Sequence, residues 1–109
     1  MAFDELLAAR VRKALARRGN TGEKRMFGGI GFFLNGNMLC GVRKDSVILR
    51  LGQEEAERAL VELHVTVFNI GGRVMKGWVV VAAKAMAQDK QLRGWLQLAI
   101  GFVRKLPGK

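Results

Sequence analysis

The chain has no tyrosine and only one cysteine, one histidine and one proline among its 109 residues. Each shortage excludes something. A single cysteine, Cys40, cannot close an internal disulfide, so nothing in the sequence asks for an oxidising compartment and the cytoplasm is expected. Cys40 and His64 together cannot supply the three or four ligands of a zinc site. A nucleophilic thiol also needs a base, and His64 is not close to Cys40 in sequence; Cys40 is therefore expected to be a buried structural residue. The aromatics are few and not interleaved with basic residues as a single-strand-binding sheet face requires, so Trp78 and Trp95, set in apolar patterns, are expected in the core. Pro107 is the only proline, which leaves no proline-rich linker. Long apolar runs are also missing: "GWVVVAA" and "WLQLAIGFV" fall well short of the roughly 18–20 residues that span a bilayer. The opening "MAFDELLAARVRK" carries acids where an export signal carries bases, and Arg10 and Arg12 break its apolar stretch. A soluble protein with no membrane partner is expected.

What is present is an ordinary globular balance, 50% apolar and 26% charged, in a chain of common single-domain size; one domain over residues 1–109 is the expectation. The charge is not ordinary. Nineteen Lys and Arg face nine Asp and Glu, a formal net charge of +10, and a field of that sign attracts nucleic acid, an anionic membrane or an acidic protein. Arg10, Arg12, Lys13, Arg17, Arg18, Lys24 and Arg25 crowd the first quarter, opposed there by Asp4, Glu5 and Glu23. If residues 3–18 are helical, Arg10, Lys13 and Arg17 stack on one face; with Arg18, Lys24 and Arg25 they form a candidate nucleic-acid-binding set. A solvated helix face is the plainer reading of the same charges.

Periodicity orders the elements. Phe3, Leu6, Leu7, Val11, Ala14 and Leu15 make one stripe of a helix ending at "RRGN". Asp4 and Glu5 in its first turn and Arg17 and Arg18 in its last suit the helix dipole. "MFGGIGFFL", "NMLCGVR" and "SVILRL" then read as a three-strand antiparallel meander, the first turn made by Asn35 and Gly36. "QEEAERALVEL" is helical, with Ala56, Leu60 and Leu63 on one side and Glu54, Glu55, Glu57 and Glu62 as a solvated face. "HVTVFNI" and "VMKGWVVVAA" read as two further strands. A last helix carries Leu92, Trp95, Leu96, Ala99 and Val103, with Asp89 as its cap and Pro107 and Gly108 as its stop. Gly94 and Gly101 inside it suggest close packing by another element. The class is α+β: one antiparallel sheet, covered by the terminal helices.

The stretch "RMFGGIGFFLNGNMLCGV", Arg25 to Val42, holds five glycines and invites a nucleotide-loop reading. It fails in context. Gly29, Gly31 and Leu34 fill the dinucleotide spacing without the third glycine, and the segment leads into a hairpin rather than a helix; "GNTGEKR" likewise lacks the P-loop spacing. No cofactor is expected. In an extended segment Met26, Gly28, Ile30, Phe32 and Leu34 face one way, Phe27, Gly29, Gly31 and Phe33 the other. The second face is stripped of side chains at its centre, so helix packing or a bulge is expected there, or the close approach of another chain or a ligand.

These same segments, with "ILRLG", "GGRVMKGWVVV" and "LRGWLQLAIGFVRKLPGK", resemble the N-terminal domain of the TfoX/Sxy proteins over nearly the whole chain. The specific parts are Met26, Phe27, Gly28 and Gly29, the hairpin residues Asn35, Gly36 and Met38, and Met75, Lys76, Gly77 and Trp78. The resemblance implies a secretion-chaperone-like α+β domain, often dimeric, with those residues in structural roles and no catalytic positions. In two-domain bacterial members this domain belongs to a competence regulator that acts with a transcription factor; this chain, ending at Lys109, is expected to be a single-domain member. The implied function is a small non-enzymatic regulatory or interaction domain working through protein partners in transcription control. Direct nucleic-acid binding is the alternative.

Overall fold

A computed structural model of the protein describes residues 3–26 and 28–108. Helix α1 (Glu5–Leu15) is followed by four strands, β1 (Thr21–Met26), β2 (Gly29–Leu34), β3 (Asn37–Arg43) and β4 (Ser46–Arg50). Helix α2 (Gln53–Ala59), strands β5 (Val65–Ile70) and β6 (Arg73–Ala82), a 3₁₀ turn (Ala83–Met86) and helix α3 (Asp89–Val103) complete it. The strands make one six-stranded antiparallel sheet in the order β1-β2-β3-β4-β6-β5. The α+β class holds, with two corrections. The meander has four strands, not three: the expected strand 26–34 is interrupted at Gly28, whose φ is +75°, and the chain before it forms β1. Strand β1, Thr-Gly-Glu-Lys-Arg-Met, has five of its six residues exposed and no apolar alternation, so its sequence carries no strand pattern.

Register explains the core. Ile30 pairs with Val42 and Val42 with Val47; Phe32 pairs with Cys40 and Cys40 with Leu49; Val47 and Leu49 pair with Val81 and Val79. Cross-strand partners share a face, so these residues form one apolar sheet surface, and all are buried. Helix α3 covers it with Leu92, Trp95, Leu96, Ala99, Ile100 and Val103, and α1 adds Leu7, Ala8, Val11 and Leu15. Leu6 and Ala14, expected in the α1 stripe, point outward. Asp4 caps α1, its carboxylate accepting from the N–H groups of Leu6 and Leu7 at 2.9 and 3.1 Å. The helix ends at Leu15, so Arg17 and Arg18 lie beyond its last turn.

The Asn35–Gly36 turn forms as read, with φ of +54° and +82°. Buried Asn37 after it donates from its side chain to the carbonyl of Pro107 at 2.9 Å, tying the end of the chain to the hairpin. At the start of α3 the cap is Gln88 rather than Asp89, and its N–H donates to the Gln91 side chain at 2.9 Å. Close packing at Gly94 and Gly101 is not found: nothing lies within 4 Å of a Cβ built at either. Helix α2 lies against β6 with Ala56 and Ala59 buried, while Leu63, expected on its inner side, is 80% exposed. No helix among the described residues is long and apolar enough to cross a membrane.

Candidate functional site

The sheet face turned away from α1 and α3 holds the candidate site. Its centre is a cross-strand glycine pair, Gly31 of β2 and Gly41 of β3, with Ile48 of β4 beside Gly41. No helix among the described residues fills the space that the glycines leave. The methyl ends of two methionines lean over it instead: a Cβ built at Gly31 would lie 3.3 Å from Met38 Cε and 3.5 Å from Met26 Cε, and one at Gly41 would lie 3.2 Å from Met38 Cε. From the far edge of the sheet the β5–β6 hairpin contributes Phe68, Ile70, Met75 and Trp78. Between these walls runs an apolar groove of about 350 Å³. Ile48 and Phe68, only 7% and 9% exposed, are buried here and not in the helix-covered core.

Backbone constraints explain the glycines. A Cβ at Gly29 would collide with the carbonyl oxygen of Val42, so β2 can lie this close to β3 only without a side chain there. Gly77, at φ +87°, turns its carbonyl to accept from the N–H groups of both Leu51 and Gly52, at 2.8 and 3.1 Å. That contact anchors β6 beside the exit of β4 and places Trp78 in the groove wall. Met26, Gly29, Met38, Met75 and Trp78, which the sequence presents in three separate segments, thus line one groove. Phe27 lies outside the described residues, and Lys76 is exposed on the hairpin.

Arginine and aromatic side chains alternate along this face and around its end to α3. The Arg43 guanidinium sits 5.9 Å from the Phe68 ring centroid, Phe68 lies 5.9 Å from Trp78, and Arg50 stands 5.4 Å from Trp78 and 5.9 Å from Phe102 of α3. Such contacts hold a cation at a ring face. Basic and aromatic residues are therefore interleaved on one sheet face, contrary to the sequence reading, which could not see pairings between distant strands. Trp78 is likewise half-buried in the groove wall and not in the main core; Trp95 is in the core as expected.

The six candidate basic residues do not act as one surface. Arg10 folds inward: its guanidinium donates to the carbonyls of Met86 and Ala87 at 2.6 and 3.4 Å and meets the Asp89 carboxylate at 3.2 Å, stapling α1 to the start of α3. Arg25 sits 3.9 Å from Glu5 and over the ring of Phe3. Lys13, Arg17, Arg18 and Lys24 are exposed and make no ion pair among the described residues. Arg12, outside the candidate set, makes a two-pronged contact with Glu23 at 2.7 and 2.8 Å, and those hydrogen bonds hold the Glu23 carboxyl below its usual range. Glu54 and Glu55 spend their charge on Arg58 at the surface of α2.

Cys40 is fully buried, and burial pushes its thiol up to about 12, so it stays protonated at neutral pH. His64 is exposed at the start of β5. No group of three His, Cys, Asp or Glu side chains able to hold a metal occurs among the described residues. The chemistry on offer is recognition by apolar walls and arginines.

Comparison with known families gives a match to the TfoX N-terminal domain over residues 13–103, most of the chain. The protein belongs to the TfoX N-terminal domain family. No curated protein and no solved structure matched significantly. The TfoX N-terminal domain is not a known enzyme family. Within this member of it, the matched span runs from late α1 to the end of α3 and so contains every groove residue.

Proposed function

We propose that the protein is a small non-enzymatic regulatory domain that works in the bacterial cytoplasm through a protein partner in transcription control, in the manner of competence regulators. Membership of the TfoX N-terminal domain family supports the regulatory part. The observation that carries the contact part is the β5 edge. Strand β5, Val-Thr-Val-Phe-Asn-Ile, has no charge and no proline, and Val67, Ile70 and neighbouring Val74 are 44%, 53% and 49% exposed. An uncharged, β-branched edge is a ready template for another strand, which proteins ordinarily block with charge. The opposite edge, β1, is blocked in that way by Glu23, Lys24 and Arg25. The occupant is a partner's extended segment, or a second copy pairing β5 with β5, which sedimentation at varied concentration separates. Capture from a nuclease-treated lysate tests the reading, and failure to recover any stoichiometric partner, with no self-association, counts against it.

Direct nucleic-acid binding is supported by one specific observation, the exposure of Lys13, Arg17, Arg18 and Lys24 without an ion pair among the described residues. Because Arg10 is engaged within the fold, the informative variant is Lys13→Glu with Arg17→Glu and Arg18→Glu. Phosphate-driven binding falls with salt with a log–log slope of about −0.9 per phosphate neutralised. Unchanged duplex binding by the triple variant removes this surface from consideration.

A further inference from the structure

Small-molecule sites are mostly apolar clefts of roughly 300–1,000 Å³ with a few placed polar groups. The open-face groove, at about 350 Å³, falls within that range. Gly31 and Gly41 carry no side chains at its centre, and that lets the Met38 and Met26 methyls lie down on the sheet as its floor. Its walls include three methionines from three strands, Met26, Met38 and Met75, whose unbranched and polarisable thioethers adapt to an irregular guest.

One lining residue is charged, and it is Arg43. Its guanidinium rests over Phe68, its side chain is exposed, and it makes no ion pair among the described residues. Asp45, the acid nearest it in sequence, is turned to the Ser46 hydroxyl, which donates to it at 3.5 Å. No acid lines the groove. An apolar trough with a single unpaired guanidinium at its wall is complementary to a molecule with an apolar body and one negative charge. A cation meets no counter-charge there. A nucleobase fits less well, because beside Arg43 only Asn69 brings a polar side chain to the lining, and buried Phe68, with Arg43 on its ring and Trp78 beside it, offers no free stacking face.

We propose that this groove binds a small amphipathic carboxylate, an acyl or aryl acid whose body lies against Met26, Met38, Ile48, Met75 and Trp78 and whose carboxylate meets Arg43. The groove shares Ile70 with the β5 edge, but binding of a small acid and pairing with a partner strand are read by different measurements, so either can fail without the other.

Titration of the full chain with decanoate, followed by the ¹³C-methyl signals of labelled methionines, tests it. Saturable shifts are expected at Met26, Met38 and Met75 and none at Met86, which is buried in the main core. Decanol, lacking the charge, should bind about tenfold or more weakly, as loss of a charged hydrogen bond implies. Arg43→Gln should reduce decanoate to the level of decanol, while Arg93→Gln, which removes an exposed arginine of α3, should change little. Met75→Glu, at a half-buried position, places a carboxylate in the groove and should abolish decanoate binding in a folded protein. Equal binding of decanoate and decanol, equal weakening by Arg93→Gln, or shifts of all methionines alike would overturn the proposal. So would saturation of these signals by an acidic amphipathic peptide but not by decanoate, which would assign the groove to a macromolecule.

Discussion

Gly52→Ala puts the strand-to-helix crossover to a quantitative test. Gly52 caps α2 with φ +85° and ψ 157°, a region open essentially to glycine alone. Placing a side chain there costs about 1–3 kcal/mol in backbone strain. The new Cβ would also lie 2.5 and 2.7 Å from two atoms of the Phe102 ring. Overpacking of that kind adds about 1–3 kcal/mol. Phe102 is only half-buried and can yield, which puts the sum near 3 kcal/mol. Against a total stability of about 5–15 kcal/mol, that is a large loss. It corresponds to a fall in Tm of more than about 10 °C for a domain of this size. Urea unfolding followed by tryptophan fluorescence measures it, with Gly94→Ala as the matched control. Gly94 lies in a helix with nothing within 4 Å of its would-be Cβ, so alanine there should stabilise by about 1 kcal/mol. A Gly52→Ala variant within about 0.5 kcal/mol of wild type would refute the reasoning, because neither strain nor collision would then be real.

Three further outcomes follow from buried or engaged polar groups. Cys40 should resist iodoacetamide at neutral pH until the protein unfolds, since its thiol is both fully buried and held protonated. Above about pH 9 the unfolded thiol ionises while the native one does not, so the unfolded state binds fewer protons and stability declines toward pH 12; Cys40→Ala should flatten that decline in urea melts taken across the range. Arg10→Met should cost about 1–2 kcal/mol in thermal unfolding by freeing the Met86 carbonyl, whereas the half-exposed ion pair with Asp89 adds little.

Regular periodicity made the helices, the Asn35–Gly36 hairpin and the strands β2 to β6 legible, because each buries a repeating apolar face or demands positive φ at fixed positions. Strand β1 was not legible: an exposed edge strand hydrogen-bonds through its backbone while its side chains obey no pattern. The bare face at Gly29 and Gly31 could be read as bare, but not as the floor of a groove, since Met38, Phe68 and Trp78 reach it only through pairings between distant strands. The charge cluster misled for a related reason. Helical spacing places Arg10 beside Lys13, yet the carbonyl of Met86 and the carboxylate of Asp89, 76 and 79 residues away, decide where its guanidinium goes.

The claim that this is an interaction module working through its uncharged edge meets its most direct test in paired affinity capture. Wild type and a Thr66→Lys, Val67→Lys variant, both exposed positions on β5 outside the groove, are used as bait in a nuclease-treated bacterial lysate, and the recovered proteins are identified by mass spectrometry. Recovery of a component of the transcription apparatus by wild type and its loss with the folded variant is the expected result. Equal recovery by both baits, or no stoichiometric protein with either together with no self-association, would contradict it.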